Sequence, residues 1–405
     1  MTAILSGQST ASLRVWLAVA ATALATALCQ SGAAASPKAH PGAPGQVGLG
    51  KVLTTKDGGQ IYGFDINQNG DDGVLASAQN AGGNNYLVSI ETFDQNTGKI
   101  TKSFKKETGP RDSYSVDGIF AGDVGLITHY IVPDGSFFAK RRYALMNPVT
   151  AQKFTGDWTP PVKDIDVLQS GVNQDTATAV LFAIELKKQD DPILVVSDVA
   201  ANTFTKVIRL DPNLFGLGNG PKLSQYTSAN KAVLAVSPDG GAVFGAAPVN
   251  VIIDLSTGKT KQFTGYNNGG FHAGYVNGLA VDPNTGIGAT TTELNAQVEF
   301  YDMAKREPLT FAQLPCTGNT DQLNSGSGIA VDPVNKLFLV TDYFYCDGSQ
   351  GSAIVVYDEQ GSFVETITGF HFAIGEPAPV INPSKRMGWA FGGPAGFSQL
   401  QQFFY

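Results

Sequence analysis

Apolar residues in this chain come in short runs, and several runs end the same way. Val233-Leu234-Ala235-Val236-Ser237-Pro238, Gly278-Leu279-Ala280-Val281-Asp282-Pro283, Gly328-Ile329-Ala330-Val331-Asp332-Pro333 and Pro379-Val380-Ile381-Asn382-Pro383 share one frame. The residue before the proline falls at 237, 282, 332 and 382, giving steps of 45, 50 and 50. Proline fixes φ and the small polar side chain bonds its own backbone, so each frame predicts a strand entering a tight turn. Three more strands follow the third frame, at Phe338–Thr341, Ala353–Asp358 and Phe363–Ile367. The preceding repeat supplies Ile287–Thr292, Gln297–Asp302 and Pro308–Phe311 at matching places.

Four short antiparallel strands at a period near 50 residues are the signature of a β-propeller blade. Ile61–Asn67, Ser115–Phe120 and the region after Asp164 open further blades, so the expectation is an all-β propeller of seven four-stranded blades. The last repeat holds only three strands, at Val380-Ile381, Trp389-Ala390-Phe391 and Leu400–Phe404. Val47–Thr54 is expected to supply the fourth, so that the N- and C-terminal strands pair and close the ring.

The first 46 residues read differently. Fourteen uncharged residues from Val15 to Leu28 follow Arg14 and precede the small-residue run Gly32–Ser36. A membrane-spanning helix needs about 20 apolar residues, so the run fits an export signal better. The expected organisation is a signal peptide at 1–35, a flexible Pro/Gly-rich lead-in at 36–46 and a single propeller domain at 47–405, in a secreted or periplasmic protein. Cys29 leaves with the signal. Cys316 and Cys346 then remain in an oxidising compartment, on the same side of one blade, and are expected to form a disulfide.

Composition narrows the partners. Charged residues are 15%, the net charge is −8, and there are 24 Phe and 13 Tyr against 4 Met. Coiled coil, helical bundle and acidic disordered tail are excluded, and nucleic acid finds no basic field to bind. Stable membrane insertion is not expected, and the chain is expected to be monomeric.

In a propeller, the connections between blades and the loops between second and third strands share one face, here the upper face. Tyr62, Asp117, Asn277, Ser327 and Glu376 precede the inner strands and would ring the mouth of the central channel. Thr128-His129, Thr292-Glu293 and Thr341-Asp342 end second strands, and Gly270-Phe271-His272 and Gly369-Phe370-His371 repeat in entering loops. Tyr275, Tyr343, Phe344, Tyr345, His129, Glu293 and Asp342 are therefore candidate ligand-binding residues for a carbohydrate, small molecule or protein. Carboxylates, an amide carbonyl and imidazoles converging there can also hold Ca²⁺ or another divalent cation. Asp65, Asn67, Asn69, Gly70 and Asp71 have the odd-position spacing of a calcium loop, but Asn67 matches Asp282 in the repeat and reads more simply as a turn. Gly-x-Ser-x-Gly, phosphate-loop, His-Glu-x-x-His and Cys-x-x-Cys motifs are absent from the sequence.

Asn277-Gly278-Leu279-Ala280-Val281-Asp282-Pro283 resembles the Asn-Gly-Leu inner-strand motif of SMP-30/gluconolactonase-like propellers, in which the Asn ligates a metal. Asp117-Gly118 is similar to that family's metal-binding Asp-Gly, and Glu376-Pro377 loosely to its Glu-Gly-Pro. The resemblance implies a metal set of Asp117, Asn277 and Glu376, and a lactonase, esterase or lyase with His272 or His371 transferring the proton. The same motif resembles NHL- and YVTN-type repeat propellers, which mostly bind partners. A binding or scaffolding propeller is the first expectation and the metal-dependent hydrolase the alternative.

Overall fold

The computed structural model describes residues 47–405 except 83–84, 109–112, 121–123, 132–139, 147–156, 159–161, 163–164, 175, 186–190, 199–200, 202, 215–220, 238–246, 266–274, 293–296, 315–323, 347–348, 372–377 and 394–395. Between residues 104 and 161 it describes the backbone alone. The described chain is built of β-strands with three single 3₁₀ turns.

The strands form four-stranded antiparallel sheets, each running in chain order from the inside outward. β1 (Gly48–Thr54) stands apart from that order. The first blade is β2 (Gln60–Ile66), β3 (Asp72–Gly82), β4 (Asn85–Asp94) and β5 (Lys99–Thr108). Next come β6 (Ser113–Phe120), β7 (Val124–Ile131), β8 (Lys140–Met146) and the two-residue β9 (Asp157–Trp158). β10 (Ile165–Asn173), β11 (Thr178–Glu185), β12 (Asp191–Asp198) and β13 (Thr203–Arg209) follow. Then come β14 (Lys222–Tyr226), β15 (Lys231–Val236), β16 (Val249–Asp254) and β17 (Thr260–Thr264). β18 (Val276–Val281), β19 (Ile287–Thr292), β20 (Gln297–Asp302) and β21 (Glu307–Gln313) precede β22 (Asn324–Asp332), β23 (Leu337–Cys346), β24 (Ser349–Asp358) and β25 (Phe363–Thr368). The closing blade is β26 (Val380–Asn382), β27 (Met387–Gly393), β28 (Gly396–Phe404) and, outermost, β1.

Packing corrects the expectation of seven equivalent blades. Six four-stranded blades carry the described core, joined in succession by apolar layers. Phe182 and Leu234 lie between β10–β13 and β14–β17, and Val233 and Tyr301 between β14–β17 and β18–β21. Phe300 and Phe338 lie in the next layer, Leu339 and Phe403 between β22–β25 and the closing blade, and Phe64 and Trp389 between the closing and first blades. The β6–β9 sheet is described through backbone pairing alone. On the lower face the two blades flanking it in the chain touch directly: Gln174 Oε1 accepts from Gln68 N at 2.8 Å and Gln174 Nε2 donates to Ile66 O at 2.9 Å.

A second correction concerns register. Val233–Pro238 is not an inner strand, because β15 pairs with β14 on one side and β16 on the other. The true marker of the first turn is a left-handed residue. Ala177, Asn230, Gly286, Lys336 and Arg386 all have positive φ, between 47° and 74°, at the end of this turn. Asp282 caps its turn, accepting from Asn284 N and Thr285 N at 2.7 and 3.0 Å, and Asp332 does the same for Val334 and Asn335 at 2.9 Å. Asn67 accepts from Asn69 N at 3.0 Å in the equivalent place, so the calcium-like spacing is an Asx turn.

Ring closure rests on β1, which pairs with β28 from Gly48↔Phe404 to Thr54↔Gln399. Gln95, fully buried, then ties the first blade to the closing one. Its Nε2 donates to Asn67 O and Gly70 O at 2.9 and 2.6 Å, and its Oε1 accepts from Asn382 Nδ2 at 3.1 Å. Its carbonyl accepts from Trp389 Nε1 and Gln402 Nε2 at 3.1 and 2.8 Å.

Candidate functional site

Five innermost strands break register at nearly the same height. The extra residues are Tyr62 in β2, Asp117 in β6, Leu168 in β10, Asn277 in β18, and Ser327 with Gly328 in β22. A β-bulge frees a residue from the ladder and re-aims its side chain. Four of the five residues expected to precede the inner strands therefore lie within them, at bulges. The ring is mixed in chemistry. Tyr62 is 43% exposed and Leu168 37%, whereas Asn277 is half-buried and Ser327 buried. Asn277 Nδ2 donates to Gly326 O at 3.4 Å, which ties β18 to β22. Tyr62 and Leu168 belong to the two blades that Gln174 joins. Nothing in the local sequence marked Leu168, since a leucine in a strand ordinarily reads as core.

The other predicted positions separate into three groups. Asp342, Tyr343 and Phe344 are consecutive in β23, with Asp342 buried and the two aromatics half-buried; Tyr275, just before β18, is half-buried too. His371 is exposed, and its N–H donates to Gly392 O at 3.0 Å, while its neighbour Phe370 packs against Phe403 at 5.8 Å. For Asp117, His129, Tyr345 and Cys346 only the strand position is described. His272, Glu293, Cys316 and Glu376 lie outside the described residues, so the proposed metal set and the disulfide are not assembled here. Among the described residues no three His, Cys, Asp or Glu side chains gather as a metal site would require.

Two buried acids sit in adjacent layers and differ sharply. Glu299 of β20 accepts from the Tyr301 hydroxyl, which also accepts from Thr290 Oγ1 at 3.0 Å. Burial, reinforced by the Glu299 charge, holds the Tyr301 phenol neutral. Asp342 is fully buried, and among the described residues neither carboxyl oxygen has a hydrogen-bond partner. Desolvation pushes its carboxyl up to about 8, so it is predominantly the neutral acid at pH 7. The sequence placed Asp342 at the upper end of a second strand but gave no sign that it would be buried, because the residues facing it come from another blade.

No protein-family model matches the chain, and no curated protein matches it. Among solved structures it is similar to the beta-propeller domain of Cps50 (Swd1) from Myceliophteria thermophila, at 12% identity and a TM-score of 0.53, covering 89% of this chain and 100% of that one. It also matches the Dos1 propeller, at 10% identity and a TM-score of 0.49, covering 88% and 95%. The Cps50 likeness and the sheet topology define the class: this is a β-propeller. The resemblance of single strands to the SMP-30/gluconolactonase-like and NHL/YVTN types gains no support from a family match.

Proposed function

We propose that the protein is an exported binding propeller that holds its ligand at the upper mouth of the central channel. One observation carries this reading: bulges at a common height on five inner strands release Tyr62, Asp117, Leu168, Asn277 and Ser327 from the ladder. A ring of bulges weakens the ladder at every blade where it occurs, and re-aiming side chains toward a shared opening is the functional use of that device. The exposed Tyr62 phenol and the half-buried Asn277 amide of this ring suit a small molecule, a saccharide or a peptide rather than a single ion. Export by residues 1–35 belongs to the same proposal.

The test is a thermal-unfolding screen of the mature protein against oligosaccharide, peptide and metabolite sets. A bound ligand raises stability by mass action. The rise is expected to disappear in Tyr62→Ala and Asn277→Ala; a rise that persists in both variants would overturn the proposed mouth. N-terminal sequencing of the secreted protein is expected to begin at Ser36, and an intact leader would overturn export.

A further inference from the structure

Asp342 lies on the side of β23 that faces the β18–β21 blade. Phe338 and Val340, four and two residues earlier, pack on Val298, Phe300 and Leu314, and Phe344, two residues later, packs on the same cluster. Its register partners are Gly326 and Ala353, so neither directly paired residue brings a polar side chain beside the carboxyl. A Cβ at residue 326 would stand 2.8 Å from Thr291 Cγ2, so the glycine is required by the approach of the next blade. Toward the upper rim, the Phe344 ring covers Gly351, where a Cβ would come within 2.6 Å of it. Among the described residues the titratable group facing Asp342 is Tyr357, whose hydroxyl donates to Gln313 O at 2.8 Å and which burial keeps neutral, the more so once Asp342 is ionised. Glu299 shows how this fold gives a buried acid an internal donor, since its Oε2 accepts from the Tyr301 hydroxyl. Asp342 has no such donor among the described residues.

We infer that Asp342 anchors a site for an organic ammonium ion in the upper part of the layer between the β18–β21 and β22–β25 blades, with Phe344 as its aromatic wall. The inference rests on the reading of the upper face as the binding face, and adds a ligand class and a second location. A cation entering an apolar layer needs a counter-charge and gains from an aromatic face. Asp342 and Phe344 are the described pair that supplies both. On binding, the Asp342 carboxylic acid releases its proton to solvent and the carboxylate pairs with the ammonium, with no other bond made or broken.

The experiment is calorimetric titration of the mature protein with methylammonium, tetramethylammonium and choline chlorides, using sodium chloride at equal ionic strength as control, in two buffers of different ionisation heat. Saturable binding of at least one probe is expected, with about one proton released at pH 7 and affinity rising about tenfold per pH unit from 6 to 8 before levelling off. Asp342→Asn is expected to abolish binding, Phe344→Ala to weaken it, and Tyr62→Ala to leave it unchanged. No saturation by any probe, undiminished binding by Asp342→Asn, or affinity independent of pH would each overturn the inference. Loss of the mouth ligand in Tyr62→Ala is read separately, so either proposal can fail without the other.

Discussion

Replacing Asp342 by Asn removes the titration while nearly preserving shape. The unfolded carboxyl has an ordinary value of about 3.9, whereas the folded one is raised to about 8. A folded value above the unfolded one means that the native state binds the proton more tightly. Its contribution to stability is complete below about pH 3.9, falls by about 1.4 kcal/mol per unit as the pH rises, and is lost once the pH passes the folded value. At pH 7 the interval is about three units, so wild type has lost about 4 kcal/mol relative to acid conditions. An amide in the same place does not titrate. It leaves polar atoms unpaired much as the neutral acid does, so those costs largely cancel. Asp342→Asn is therefore expected to be more stable than wild type by about 3–4 kcal/mol at pH 7 and equal to it near pH 4. Urea unfolding at pH 4, 5.5, 7 and 8, with unchanged dependence on denaturant, measures this directly. A difference between the two proteins that stays constant with pH, or a destabilised variant at pH 7, would refute the reasoning.

Gly286 has φ of +74°, and a Cβ there would stand 2.4 Å from the Tyr226 ring; Gly286→Ala is expected to cost about 2 kcal/mol or more in urea unfolding, and a neutral result would contradict the turn geometry. Gln95→Ala strips partners from Asn67, Gly70 and Asn382, with an expected loss of about 3 kcal/mol in the same assay. Deleting residues 48–54 leaves β28 with a bare edge and should produce aggregate that the full-length protein does not form, read by size-exclusion chromatography. Glu359 accepts from Thr285 Oγ1 at 2.6 Å, and its carboxyl is raised chiefly by burial and further by Asp282. Stability from Glu359 is thus full below its ordinary value and lost as pH rises through the raised one, and Glu359→Gln should flatten that part of the pH profile. Thiol titration of the denatured mature protein is expected to find no free thiol from Cys316 and Cys346.

The repeat period, the strands of the last three repeats and the pairing of the two termini were legible along the chain. The reason is that a strand entering an Asx turn depends on residues within a few positions of one another. Asp282, Asp332 and Asn382 carry that signal on their own. The register of the β14–β17 blade was not legible, because its inner strand Lys222–Tyr226 lacks an apolar run and its turn ends in Asn230, with no Asx-Pro pair to mark it. The sequence named Tyr62, Asp117, Asn277 and Ser327 but set them before the inner strands. A bulge is a mismatch between two strands, and one strand alone cannot show it.

What the sequence determined by itself was local: short strands, turn chemistry, and the missing strand of the closing blade supplied from the other end. Tertiary structure decided which acids were buried, that Glu299 would meet a tyrosine donor while Asp342 meets none among the described residues, and that Gln174 would join blades separated by a whole sheet in the chain. Those outcomes depend on desolvation and on contacts between blades, and both are set by residues far apart in the polypeptide that meet only when the layers pack.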